Sequence, residues 1–291
     1  MESNQNSELD ILKNNVVTHL FVNQADEDYI LARFAYHNSM VRSFFSGAGQ
    51  ALEKYLKASL LLNGHSSKRY RHDLVKLFDK VASYAGDLLP KMLGRPEALD
   101  EMHWREETPR NFLTRIEPYV SPHNRYNLFG HQAHFEDLFH LDQLVFSLRR
   151  LSFNLDAYPF LGPPKQRDDG WQTVREALSR CPNYSPRGPI PKLSGLIDRG
   201  NDDQLRFAAL NSNFCFAPDD YQHDMRNVNK RFSFASSVLH RRIIQPADKK
   251  RPGFGSVEAA ELADWAVRNI VLQQDVKEEL IDAAEKLRGG D

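Results

Sequence analysis

From Asp26 to Leu62, apolar residues return every three or four places: Ile30, Phe34, Val41, Phe44, Phe45, Ala48, Leu52, Tyr55, Leu56 and Leu62. At 3.6 residues per turn this spacing collects them on one helical face, and a face that apolar has to be buried against other helices. Asp26, Glu27 and Asp28 suit the positive end of a helix dipole. Asn63 and Gly64 are the residue types that accept the left-handed conformation closing a helix. A break near Asn38 and Ser39 would make two helices of the stretch.

The same period recurs. Leu74, Leu77, Phe78 and Val81 form a stripe within His72 to Tyr84, and Leu138, Leu141, Leu144, Val145 and Leu148 form another within Glu136 to Leu151. Near the end, Ser256 is placed to cap a helix carrying Val257, Ala260, Ala263, Val267 and Ile270. Asp275 with Glu278 three places on resembles a capping box for Val276, Leu280, Ile281, Ala284 and Leu287, so a kinked helix or helical hairpin is expected there. Strand-like alternation is brief, with Phe214 to Ala217 the best short candidate, and no long internal repeat is visible. The expected class is all-α: an antiparallel helical bundle followed by a second helical region.

Pro159, Gly162, Pro163 and Pro164 lie among scattered charges, a composition that stops helices and resists burial. The expected organisation is therefore an N-terminal tail at 1–25, a bundle at 26–156, a linker at 157–169 and a helical C-terminal domain at 170–291. At 41% apolar and 26% charged residues the chain belongs to the globular class. Met1 to Ser7 lacks the basic and apolar runs of a secretory signal, and charges such as Glu53, Lys54, Lys57, Arg149 and Arg150 interrupt every long apolar stretch. A cytoplasmic protein with no membrane span is expected. The two cysteines, Cys181 and Cys215, are too few for a disulfide framework and form no CxxC pair. Neither a P-loop nor a GxGxxG fingerprint occurs, and Cys215 has no catalytic-cysteine context, so no cofactor is expected.

The run GQALEKYLKASLLLNG, ending at Gly64, precedes HDLVKLF at His72 to Phe78. Together with the aromatic-rich helix before them, from Ala25, they resemble the opening helices of a HEPN domain. NRYNLFG at Asn124 to Gly130 and LDQLVFSLRRL at Leu141 to Leu151 are similar to the Arg-Tyr turn and closing helix of a bacterial subgroup of that family. The resemblance spans roughly Asp26 to Asp156. Read without it, the same residues are architectural: Glu53 and Lys57 make a favourable i,i+4 pair, Leu52, Tyr55 and Leu56 point inward, and Asp73 caps the next helix.

Many HEPN domains are metal-independent ribonucleases that carry Arg, four to six residues, then His. That spacing occurs here once, from Arg125 to His131. RNA brings its own nucleophile, the 2′-hydroxyl, so cleavage needs a proton carrier of near-neutral pKa and a fixed cation for the charge growing on phosphate. His131 suits the first role and Arg125 the second, with a homodimer bringing two copies around one phosphodiester, as the resemblance implies. Tyr126 departs from the polar residue usual after that Arg in nuclease members, and Gly130 suggests a turn where the motif is normally helical. The resemblance also makes a nucleotidyltransferase-type partner, in a toxin and antitoxin pair, an expectation to test.

His123, His131, His134 and His140 crowd together beside Glu136 and Asp137. Sites of this spacing need a second ligand set on another helix, none is evident in the sequence, and no metal is expected. From Arg226 to Arg251, eight cations (Arg226, Lys230, Arg231, Arg241, Arg242, Lys249, Lys250 and Arg251) stand against one acid, Asp248, although the whole chain carries only −1. Phe232 and Phe234 interleave with them, so phosphates can pair with the cations while bases stack on the rings. The expected function is RNA or nucleotide binding, with ribonuclease activity inside that reading. The alternative is a noncatalytic interaction or dimerisation module, built on helices such as Val257 to Leu287.

Overall fold

In a computed structural model of the chain, the described residues are 8–99, 104–120, 131–157, 173–181, 192–198, 204–226, 232–234, 239–248, 255–270, 272 and 274–289. Helix α1 (Glu8–Val17) runs through a π-helical turn (Thr18–Val22) into α2 (Asn23–His37). The backbone stays helical at Val17, Val22 and Asn23. Residues 8–25, expected as a tail, are therefore helical, and Asp26 to Asp28 lie inside a continuous helix instead of at its start. Ser39, at φ 61°, breaks the chain where expected, with Met40 N donating to Ala35 O at 2.8 Å. A left-handed residue ends the helical ladder and satisfies carbonyls of its last turn.

Helix α3 (Val41–Leu62) follows, and it is the centre of the bundle. Phe44, Phe45, Leu52, Tyr55, Leu56 and Leu60 are fully buried along it, and it packs against α2, α4 (Leu74–Ala85), α5 (Pro109–Val120) and α6 (Glu136–Arg150). Glycines let two neighbours come close. A Cβ on Gly47 would lie 3.0 Å from Asp28 O, and one on Gly49 would lie 2.0 Å from Val120 Cγ1. The end of α3 is tied down by Asn63, whose Nδ2 donates to Ser59 O (2.8 Å) and Phe153 O (3.0 Å) while Oδ1 accepts from Leu155 N (3.0 Å). Asp73 caps α4, accepting from Lys76 N at 2.8 Å, as its sequence position requires.

The chain divides into two units, Met1–Val120 with His134–Arg231, and Ser121–Ala133 with Phe232–Asp291. The first unit takes in α7 (Val174–Arg180), α8 (Lys192–Asp198) and α9 (Gln204–Leu210) as well as the bundle. This differs from the boundary expected at 157–169, nearly all of which lies outside the described residues. Proline-rich composition marks irregular chain, whereas a domain ends where contacts end, and α8 and α9 both pack on α2.

Two buried polar knots explain that packing. Arg33, wholly buried, pairs with Asp142 of α6 and donates to Ala208 O (2.7 Å) and Asn211 O; Tyr29 Oη donates to Asp142 Oδ1 at 2.7 Å and accepts from Asn213 Nδ2 at 2.9 Å. Asp26, also wholly buried, accepts from Tyr55 Oη, from Arg149 Nε at 3.1 Å and from Leu193 N at 2.9 Å. Each charge is compensated in place, the condition under which a charged group tolerates burial. Phe214 to Ala217, the expected strand candidate, forms turns held by Ala217 N donating to Asn213 O at 2.9 Å.

In the second unit, β1 (His131–Ala133) pairs antiparallel with β2 (Phe232–Phe234), His131 opposite Phe234. These three-residue strands are the described departure from an otherwise helical architecture. A π-helical turn (His240–Ile244) leads into α10 (Gln245–Asp248), and α11 (Ser256–Asn269) pairs with α12 (Gln274–Arg288), a hairpin and not the kinked helix that the periodicity also allowed. Their seam is alanine-rich, with Ala259, Ala260, Ala263, Ala266, Ala283 and Ala284 closing on Ile243, Ile244, Val276, Leu280 and Leu287. Gly255, at φ 104°, stands at the N-cap of α11, so Ser256 is the first helical residue and not the cap expected. No described helix is long and apolar enough to cross a membrane.

Candidate functional site

Arg125 and Tyr126 lie outside the described residues. For His131 the structure describes the backbone, which is extended at the start of β1. His131 therefore lies on a strand and not on a helix.

The basic run is divided. Arg226, in the first unit, is exposed but committed to Asp224: Nε donates to Oδ1 at 2.9 Å and Nη2 to Oδ2 at 2.7 Å. A fork already filled by a carboxylate offers a phosphate little. Lys230, Arg231, Lys249, Lys250 and Arg251 lie outside the described residues. Arg241 and Arg242, in the second unit, are both exposed, and the next two residues, Ile243 and Ile244, are buried in its core. The anchoring of those isoleucines fixes the turn from which the two guanidinium groups reach solvent. The side chains of Phe232 and Phe234 lie outside what is described.

Of the histidine group, His123 and the His131 side chain are likewise outside. His140 is wholly buried, edge-on to Trp104 (ring centroids 5.1 Å apart) and Phe112 (5.7 Å). Its Nδ1 lies 3.4 Å from Glu107 Oε2, outside hydrogen-bonding geometry. The nearby carboxylates are occupied by arginines. Arg115 straddles Glu107 (Nε to Oε1 3.1 Å, Nη2 to Oε2 2.9 Å) and reaches Asp137 Oδ1 at 2.5 Å, and Arg105 joins Asp137 at 3.1 Å. Asp137 Oδ2 accepts from His134 N at 2.8 Å. Burial alone would raise the Glu107 carboxyl, but contact with His140, Arg115 and Arg105 holds it at about 2. A carboxylate so strongly ionised neither donates nor readily accepts a proton near neutrality, so this knot clamps α5 to α6 and does no acid–base chemistry. Among the described residues no group of His, Cys, Asp and Glu converges on a metal position.

Sequence reading did not single out Glu107, Arg105 and Arg115, since they meet Asp137 and His140 only in space. It also passed over an open cavity of about 590 Å³ lined by His65, Ser66, Lys68, Arg69, Tyr70 and Lys80. A signal for it exists: from Gly64 to His72 the chain carries Lys68, Arg69 and Arg71 and no acid.

Residues 18–112 match the family model of the HEPN domain. The N-terminal half of the chain carries a HEPN domain. The matched stretch runs from the π-helical turn through α2, α3 and α4 into α5, so it contains GQALEKYLKASLLLNG and HDLVKLF and stops short of NRYNLFG, LDQLVFSLRRL, Arg125 and His131. No curated protein and no solved structure matched the chain. The HEPN domain thus supplies the central helix α3 and the partner α2 whose Arg33 and Asp26 hold α8 and α9.

Proposed function

We propose that the protein binds RNA, engaging phosphates through the basic residues of its second unit, Arg241 and Arg242 with Lys249, Lys250 and Arg251 after them. The observation that carries the reading is the exposed pair Arg241 and Arg242, held on a turn whose Ile243 and Ile244 are buried. Rigid support lowers the entropy lost when long cationic side chains grip a phosphate. Lys249, Lys250 and Arg251 follow in the sequence of the same unit and add to its positive charge. The test is affinity for a single-stranded RNA measured at several salt concentrations. Each phosphate contact contributes about −0.7 to the slope of log K against log salt, so Arg241→Gln with Arg242→Gln should flatten that slope by more than one unit. A slope near zero in the unmodified protein removes the proposal.

Within this reading, Arg125 and His131 are the pair for metal-independent cleavage in a homodimer. His131 would take the proton of a 2′-hydroxyl attacking the adjacent phosphorus, the P–O5′ bond would break to leave a 2′,3′-cyclic phosphate with the 5′-oxygen taking a proton from water, and Arg125 would offset the added phosphate charge. Cleavage of mixed RNA in the presence of a chelator, lost in His131→Ala and Arg125→Ala, supports it; equal cleavage by all three proteins sinks it.

A second reading, a noncatalytic module that pairs with another copy or another protein, is favoured by a different observation. Leu9, Leu12 and Val16 on α1 and Leu20 in the π-helical turn after it follow one another at three- and four-residue spacing and are each more than half exposed, an arrangement more usual at contact surfaces than on isolated monomers. On α11, Val257 and Trp265 are also exposed. Light scattering that gives a monomer at high micromolar concentration, unchanged by Leu12→Glu with Val16→Glu, would count against self-association.

A further inference from the structure

Helices α3 and α4 are joined by a stretch that opens with Gly64 at φ 75°, makes a single 3₁₀ turn at Lys68–Tyr70 and passes through Arg71 at φ 49°. A non-glycine residue in that region carries strain that its surroundings must over-determine. The connection is pinned at its start, where His65 N donates to Leu60 O at 2.8 Å and the His65 ring packs 4.9 Å from Tyr84, whose hydroxyl is 2.7 Å from Ser59 Oγ. Lys80 lies one turn before Tyr84 on α4 and lines the same cavity as Lys68 and Arg69. Burial and the nearby Lys80 charge together push the His65 imidazole below its ordinary value, so Lys80 is felt inside the cavity.

The lining contains three permanent cations and no carboxylate. Neighbouring acids are turned elsewhere: Asp79 pairs with Arg110 at 3.0 Å, Asp73 with Lys76 at 2.7 Å, and Glu53 with Lys57 at 2.6 Å and His72 at 3.0 Å. Lys68, Arg69 and Lys80 make no ion pair among the described residues. Like charges gathered in a concavity repel, and a bound polyanion would relieve that repulsion. A cavity of about 590 Å³ is of small-molecule size, but its polar, open wall suits a hydrated anion better than an apolar ligand. Arg69 lies 4.7 Å over the Tyr70 ring and its Nη2 donates to the Tyr70 hydroxyl at 2.5 Å, so the same residue that holds the guanidinium at the cavity leaves its other N–H groups for a phosphate oxygen.

We propose that this cavity, formed by His65, Ser66, Lys68, Arg69, Tyr70 and Lys80, is a binding site for a short phosphate chain. The chain is either inorganic polyphosphate or the phosphates of a nucleoside polyphosphate. Lys68 and Lys80 grip successive phosphates as point charges, Arg69 donates from the N–H groups that Tyr70 does not take, and Ser66 donates its hydroxyl. The site uses none of the residues from Arg226 to Arg251, so it stands or falls apart from RNA binding there.

Titration calorimetry on the full chain in a low-salt buffer tests it, with inorganic phosphate, pyrophosphate, tripolyphosphate and ATP as separate probes. Affinity should climb in the order phosphate, pyrophosphate, tripolyphosphate. Lys68→Gln with Arg69→Gln should weaken tripolyphosphate by roughly tenfold or more, Lys80→Gln should weaken it less, Lys80→Arg should retain it, and Arg241→Gln with Arg242→Gln should leave it unchanged. Equal affinity for ATP and tripolyphosphate supports the site and assigns it to the phosphates alone; tighter ATP binding, reduced by Tyr70→Ala, supports it and adds the nucleoside. No heat with tripolyphosphate or ATP overturns the proposal, as does binding that survives Lys68→Gln with Arg69→Gln. An RNA oligonucleotide that loses affinity in that variant while tripolyphosphate does not bind overturns it too. Thermal melts of each variant establish that the fold is intact, which these exposed or half-exposed positions should permit.

Discussion

Replacing Arg33 by Met should cost the first unit most of its stability. The guanidinium is wholly buried and makes three connections, to Asp142 on α6 and to the carbonyl oxygens of Ala208 and Asn211. Met fills much of the volume, so cavity formation is minor. What remains is a buried Asp142 carboxylate with Tyr29 as its hydrogen-bond donor and two carbonyls that have lost theirs. Removing one partner of a buried ion pair costs about 3–5 kcal/mol, because the other charge stays behind uncompensated. A domain's whole stability is about 5–15 kcal/mol, so the variant should be marginal at room temperature. Adding Asp142→Asn removes the stranded charge while leaving an oxygen for Tyr29, and the double variant should recover about 1–3 kcal/mol over Arg33→Met alone. Urea denaturation followed by circular dichroism gives the stabilities, and amide exchange in Gln204–Leu210 reports whether α9 detaches first. If both single changes fall within about 0.5 kcal/mol of the parent, or the two are additive, the knot is not what joins α9 to α2.

The Glu107 carboxyl is held at about 2 in the folded chain, well below its ordinary value of 4.5. A depressed pKa contributes stability that is fully present above about 4.5 and lost as pH falls towards 2, about 3 kcal/mol in all. The stability gap between wild type and Glu107→Gln should therefore shrink across that window, and a gap constant from pH 5 to pH 2.5 would contradict the clamp. Gly49→Ala sets a helix-propensity gain of about 1 kcal/mol against overlap with Val120 at 2.0 Å, which costs about 1–3 kcal/mol. Net destabilisation is expected in thermal melts, and it should vanish or reverse in a Val120→Gly background, which removes both the Cγ1 at 2.0 Å and the Cβ at 2.4 Å; an unchanged penalty there would point elsewhere. Burial pushes the Cys215 thiol up to about 12, so its thiolate at pH 8 is on the order of one part in 10,000. Peptide mapping after brief iodoacetamide treatment should find the label on Cys181, and comparable labelling of Cys215 would refute that environment.

The helices could be read from the chain because the signal for each is local. Apolar spacing marks α3, α4 and α6, Ser39 breaks the first long stretch, Asp73 caps α4, and the alternation of Ala, Val and Leu late in the chain specifies the α11–α12 pair. Period and capping act over three or four residues, and the HEPN motif itself, GQALEKYLKASLLLNG followed by HDLVKLF, is a record of that local pattern. The candidate site was legible only as charge. The run from Arg226 to Arg251 is visible in the sequence, but Asp224, two residues outside it, takes Arg226 out of play.

What tertiary structure alone decided was which distant groups complete one another. Composition alone suggested a boundary at 157–169, yet Arg33 binds carbonyls 175 and 178 positions away, and Asp26 accepts from an amide 167 positions away. Lys80, spaced as an ordinary helix residue, gains its neighbours Lys68 and Arg69 only when α4 folds back beside α3. Helical period is set by backbone geometry within a turn and is therefore written in neighbouring residues. Compensation of a buried charge is set by whatever partner packing brings within about 3 Å, and no spacing along the chain encodes that.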